Sequence, residues 1–299
     1  VDILTHAGIG LIAASPFLAD RPELALGIAA GSVLPDLDAL SRLVNRRAFL
    51  QAHQTSTHAL PVQAAVAVLA GGLATYVGWN GVEIGGGLLA GLVGHSLLDL
   101  TNTFGVALFV PFSWRRFCLE WVFFIDATVL ATMGLTLALV LPIWFGNAEI
   151  SGAYTAAFFI FLCGYILGKG VLRRRAGRFT PEAKSLAPSA LVPWRFFGTR
   201  PAPDGMILFR VNALTGVQSP VAKVPVFDEA FAPILDGLPE FRVMREASPE
   251  YHVVSALSDG HGTRLLCRDL RIRNFGTRFG DLEVWLDEQR QIIRSRFHA

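Results

Sequence analysis

The stretch LLAGLVGHSLLDLTNTFG, residues 88–105, decides how this chain is read. It begins as an apolar helix suited to a bilayer, yet it carries His95 and Asp99 towards its end. Four residues apart on a helix, the two side chains project from one face. Ionisable groups at such a depth are costly, and they point to a functional site whose other members lie elsewhere in the chain.

The surrounding composition agrees with a membrane setting. Of 299 residues, 52% are hydrophobic and only 17% charged, with a mean hydropathy of +0.46. That is more apolar than an average soluble protein. A net charge of +2 implies no large polyanionic partner, and no nucleic acid is expected. Cys118, Cys163 and Cys267 are odd in number, far apart and without CxxC spacing, which argues against a disulfide framework or a cysteine zinc site. The first apolar segment lacks a basic leader and contains His6, so it is not expected to be a signal peptide.

Four segments, roughly 59–79, 83–101, 121–142 and 153–172, are apolar enough to cross a hydrocarbon core of about 30 Å. Two shorter pieces, 4–19 and 24–35, precede them and form either two further spans or a half-inserted hairpin. With six crossings, one side receives Arg42, Arg46, Arg47, Arg115, Arg116, Lys169, Arg173, Arg174, Arg175 and Arg178, and the other receives Arg21 alone. The positive-inside rule makes the basic side cytoplasmic. After residue 178 the character changes to alternating, β-rich runs such as GMILFRV and LEVWLDE, with one helix expected at FDEAFAPIL. The expected architecture is an all-α polytopic membrane domain of about six helices, residues 1–178. A cytoplasmic α+β or mainly β domain follows, residues 179–299.

Under this topology the polar residues of the membrane half collect at one level. His6 starts the first segment, and Asp36 and Asp38 follow the second. His53 and His58 precede the third, His95 and Asp99 end the fourth, and Asp126 lies inside the fifth. Singly, each admits a structural role: the aspartates as helix caps, His95 and Asp99 as mutual partners, Asp126 as the partner of Arg115 or Arg116. Together, in a half with only ten acidic residues, they read as ligands for a divalent metal. Imidazole and carboxylate suit zinc, manganese or iron, with zinc favoured. The number of donors suits two ions. Clustered metals fit phosphoester hydrolysis, and Arg46, Arg47, Arg115 and Arg116 are candidates to bind a phosphate.

The segments THAGIGLIAA, GSVLPDLDAL, HQTSTHAL and GHSLLDLTNTFG, in that order, resemble an inner-membrane metal-dependent hydrolase family, also called the LexA-binding membrane hydrolases. The resemblance covers roughly residues 1–105 and implies a metal-dependent hydrolase. It departs from the family at Gln54 and Ala59, where Arg and Ser are usual. A more distant similarity is to zinc-dependent phospholipase C and related single-strand nucleases. It implies as ligands His6, Asp36 or Asp38, His53 or His58, and His95 with Asp99, the last as a bridge between ions. The expectation is a multi-pass inner-membrane phosphoesterase acting on a lipid phosphate or phospholipid at the cytoplasmic face, with Asp38 or His53 assisting proton transfer. Two rivals remain: a transporter that uses intramembrane His and Asp, and a membrane-anchored regulatory protein with a structural metal.

Overall fold

The computed structural model describes residues 2–40, 56–145, 152–258, 260, 262–271, 278 and 280–298, with backbone alone for 38–40 and 143. The chain divides into two compact units, Val1–Gly170 and Val171–Ala299.

The first unit is helical. Helix α1 (Ile3–Ala14) starts at Asp2, whose side chain accepts hydrogen bonds from the Leu4 and Thr5 amides. Helix α2 (Pro22–Gly31) opens on a proline, where no amide hydrogen is needed. A 3-10 turn (Leu34–Leu40) follows it, and a second (Ser56–His58) leads into α3 (Leu60–Tyr76). Helix α4 (Gly81–Leu100) is capped by Asn80; α5 (Ala127–Trp144) and α6 (Ala153–Phe179) complete the set. The last ten or so residues of α6 belong to the second unit.

Glycines set the closest contact in this unit. Gly27 and Gly31 of α2 face Gly87 and Gly91 of α4, each pair four residues apart. A methyl group at Gly27 would stand 2.6 Å from the Ile84 carbonyl oxygen. Methyls at Gly31, Gly87 and Gly91 would run into the carbonyls of Leu88, Leu24 and Ile28. This is the small-residue packing by which apolar helices approach backbone to backbone. It seats the C-terminal end of α2 against the half of α4 that carries His95. A separate apolar cluster, including Ile9, Ile12, Val129, Met133 and Phe158, joins α1, α5 and α6.

The expectation of about six spans is corrected. Among the described residues, only α4 and α6 are long and apolar enough to cross a membrane. The segments at 4–19 and 24–35 fold as helices of 12 and 10 residues, rising about 18 and 15 Å. Helix α3 has 17 residues, and α5 begins at Ala127 rather than near 121 and carries Pro142 in its last turn. Apolarity continues into turns and caps, so hydropathy overstates helix length. The outward faces are still apolar, with Val68 74%, Val82 85% and Ile160 74% exposed.

The second unit holds two four-stranded antiparallel sheets, each ordered as the chain runs. The first is β1 (Ser185–Pro188), β2 (Arg195–Ala202), β3 (Gly205–Asn212) and β4 (Gln218–Val224). The second is β5 (Tyr251–Ser258), β6 (Thr263–Asp269), β7 (Leu282–Leu286) and β8 (Ile292–Phe297). Between them lie two helices where the sequence predicts one: α7 (Asp228–Leu235), and α8 (Pro239–Ala247), whose buried side is Phe241 and Met244.

Candidate metal centre

Four elements of the first unit converge at the ends of α2 and α4. His95 and Asp99 come from α4, Asp36 from the turn after α2, His58 from the turn before α3, and His6 from the first turns of α1. Asp36, His58, His95 and Asp99 each place a donor atom within 4.8 Å of the other three, forming a group that could hold a metal ion. All four are buried: His58 and Asp99 at 0%, His95 at 2% and Asp36 at 6% exposure.

The separations are close to those between ligands that share a metal ion. His58 Nε2 lies 3.1 Å from His95 Nε2 and 3.3 Å from Asp99 Oδ2. His95 Nε2 lies 3.5 Å from Asp36 Oδ1 and 3.7 Å from Asp99 Oδ2, and the His58 Nε2–Asp36 Oδ1 distance is 4.0 Å. A tetrahedral ion with bonds of about 2.0–2.2 Å has edges between its ligands of about 3.3–3.6 Å.

The hydrogen bonds around the group agree. His95 Nδ1 lies 2.8 Å from the Ser32 carbonyl oxygen, which can only accept, so Nδ1 carries the proton. In the neutral ring Nε2 is then the lone-pair nitrogen, turned toward the other donors. Asp99 is held by its other oxygen: Oδ1 accepts from His6 Nε2 at 3.1 Å and from Asn102 Nδ2 at 3.2 Å. The His6 ring also stacks on His95, centroids 3.5 Å apart. Gln63 donates to Ser96 Oγ and to the Thr57 carbonyl, while Ser96 donates to the His58 carbonyl, which ties the His58 turn to α4. Asp36 Oδ2 is buried and has no hydrogen-bond partner among the described residues. Two buried carboxylates facing an imidazole lone pair form a site whose natural counter-charge is a dication.

Of the other expected site residues, His6 reaches the group through Asp99. Asp126 does not join it, and its expected place inside a helix is corrected. It stands just before α5, where Oδ1 accepts from the Thr128 and Val129 amides, both its oxygens accept from the Tyr165 hydroxyl, and Lys169 Nζ lies 3.9 Å from Oδ2. Helix capping and a buried ammonium account for that aspartate. Arg115 is exposed with its guanidinium over the Phe117 ring, and Arg116 is half-buried beside it. The Asp38 side chain, Arg46, Arg47 and His53 lie outside the described residues.

Sequence reading missed the supports. Asn102 follows Asp99 by three residues and stood within the quoted stretch; its polar side chain at a helix end was the available signal. Ser32 acts through its backbone carbonyl, for which no side-chain signal exists.

The model of a family described as YdjM inner membrane protein matches residues 1–176. The chain belongs to the YdjM inner membrane protein family. The YdjM match contains all four donors and ends within α6, leaving both sheets outside it. No curated protein and no solved structure matches the chain. The inner-membrane part of the resemblance therefore stands. No comparison supports the likeness to zinc-dependent phospholipase C and its nuclease relatives.

Proposed function

We propose that this YdjM-family protein is a membrane-bound, metal-dependent hydrolase of phosphoesters. The observation that carries the proposal is the four-donor group, with His95 held in the tautomer a ligand requires. Hydrogen bonds from the surrounding residues fix the orientation of Asp99 and of the His58 turn, as outer partners do in metal sites. A bound divalent ion would supply Lewis acidity toward a phosphoryl oxygen and acidify a water at neutral pH. The chain's own part is to exclude bulk water and to orient the donors. Arg115 and Arg116, on the stretch after α4, are proposed to meet the phosphate. A multi-pass arrangement with the centre at the cytoplasmic face is part of the same proposal; the one-sided distribution of basic residues that motivates it requires the shorter helices to enter the bilayer beside α4 and α6.

One observation favours a second reading, a structural ion. Four protein donors fill a tetrahedral shell, and each is less than a tenth exposed. The two readings part in one experiment. Purified full-length protein is analysed for metals and screened against phosphomonoesters and phosphodiesters, alongside His95→Ala and Asp99→Asn. Loss of metal and hydrolysis with an intact melting profile supports catalysis. Metal bound to a protein that hydrolyses nothing, and that unfolds when the ion is chelated, gives the structural reading instead.

A further inference from the structure

Beside the metal centre the first unit contains a cavity of about 760 Å³, walled by α1, α2, α4 and α6. That is within the range of pockets that enclose a sizeable ligand. Its lining is nearly all apolar, Ile9, Ile28, Leu98, Leu162 and Ile166 among it, and His6 and His95, the residues that adjoin or belong to the four-donor group, form a polar patch on its wall. Along α4 the lining runs from Ala90 to Leu98 and on to Thr101, a rise of about 16 Å. Leu97 and Leu167, also in the lining, are 52% and 61% exposed, so the cavity opens on a face that is itself apolar. Water is a poor occupant of such a wall, and a free phosphate would leave the long apolar arm unfilled.

We infer that this cavity seats one acyl chain of an anionic lipid, with its phosphate-bearing head at the metal centre. Charge complementarity sets the orientation: the four-donor group, once it holds a dication, and the two imidazoles would take the phosphate, leaving the apolar walls to the chain. The assignment of the head rests on the proposed function, whereas that of the tail rests on the cavity.

The test uses full-length, metal-loaded protein in detergent. The probes are 1-oleoyl lysophosphatidate and glycerol 3-phosphate, which share a phosphomonoester and differ in the chain. Gly94 and Ala90 line the cavity, and a side chain at Gly94 meets nothing within 4 Å, so Gly94→Phe and Ala90→Phe fill it. Gly134, equally open but outside the lining, provides the control Gly134→Phe. The expected result is lysophosphatidate binding weakened about tenfold or more in both cavity variants, with metal content and the control unchanged. Should Gly94→Phe fail to fold, Ala90→Phe carries the test. Wild-type binding in the cavity variants, or competition by glycerol 3-phosphate as effective as that of the lipid, overturns the acyl-chain site. Lysophosphatidate that binds, is displaced by the filling variants and is never hydrolysed sustains the site and removes the hydrolase reading.

Discussion

His6 and His95 stack on one another, yet they do different work. His95 presents Nε2 to the donor group because its Nδ1 proton is taken by the Ser32 carbonyl. His6 donates to the oxygen of Asp99 that faces away from that group. It is therefore expected to act through Asp99, as an outer partner that fixes a ligand's orientation. Such partners contribute about 10–100-fold to metal affinity. His6→Ala should lower affinity for a divalent ion by that factor and leave the ion's coordination spectrum, read with cobalt, largely unchanged. His95→Ala should abolish the spectrum. A His6→Ala protein that bound no cobalt at all would make His6 a direct ligand. The His95–Asp99 spacing was legible in the sequence because i and i+4 share a helix face. The division of labour among histidines was not, since it depends on which ring nitrogen meets a carbonyl.

Among elements, the α2–α4 contact decides whether the centre exists. Asp36 and the Ser32 carbonyl come from the end of α2, His95 and Asp99 from α4, and the two helices meet through glycines. Neighbouring residues of α4 allow a controlled test. Gly86 faces open space, so Gly86→Ala should be neutral or stabilise by about 0.5–1 kcal/mol, the usual gain for alanine within a helix. Gly87 is packed against the Leu24 carbonyl, so Gly87→Ala should cost about 1–3 kcal/mol through overpacking. It should also lower metal retention, because Asp36 is displaced from α4. Thermal unfolding in detergent with parallel metal analysis checks both; equal behaviour of the two variants would show that the glycine contact does not position the site. Glycines spaced by four were visible in both segments, but which helix would meet which was not written in either.

On the scale of the whole molecule, the sheet-rich unit carries its own titratable centre. His252 Nδ1 hydrogen-bonds Asp228 Oδ2 at 2.8 Å, and its Nε2 lies 3.7 Å from Glu250 Oε2. Burial lowers the affinity of this imidazole for its proton, but hydrogen bonds and charges from Asp228 and Glu250 outweigh it and raise the pKa to about 9. Arg245, 3.4 Å from Asp228, is the cation facing the same carboxylate. A pKa above the unfolded value of about 6.5 means that the stabilisation is complete below that pH and is lost as pH rises through about 9. Full-length protein is expected to lose on the order of 2 kcal/mol of local stability around β5 and α7 between pH 6.5 and 9.5. Hydrogen exchange corrected for intrinsic rates measures it, and His252→Gln should flatten the dependence. A wild-type profile as flat as that of the variant would show that the ion pair contributes nothing.

Sequence alone settled the broad division into an apolar helical half and a β-rich half, because hydropathy and residue alternation are local properties. It also named Asp36, His58, His95 and Asp99 as candidate donors, since costly polar groups in apolar surroundings are conspicuous one residue at a time. Tertiary structure decided the rest. It separated those four from Asp126, which a helix terminus, a tyrosine and a lysine claim. Among the described residues it left two helices long and apolar enough to span a membrane, because backbone hydrogen bonding ends helices where hydropathy does not. It also opened an apolar cavity beside the centre, whose walls come from segments up to about 160 residues apart. Distance between side chains is a property of packing, and no local pattern encodes it.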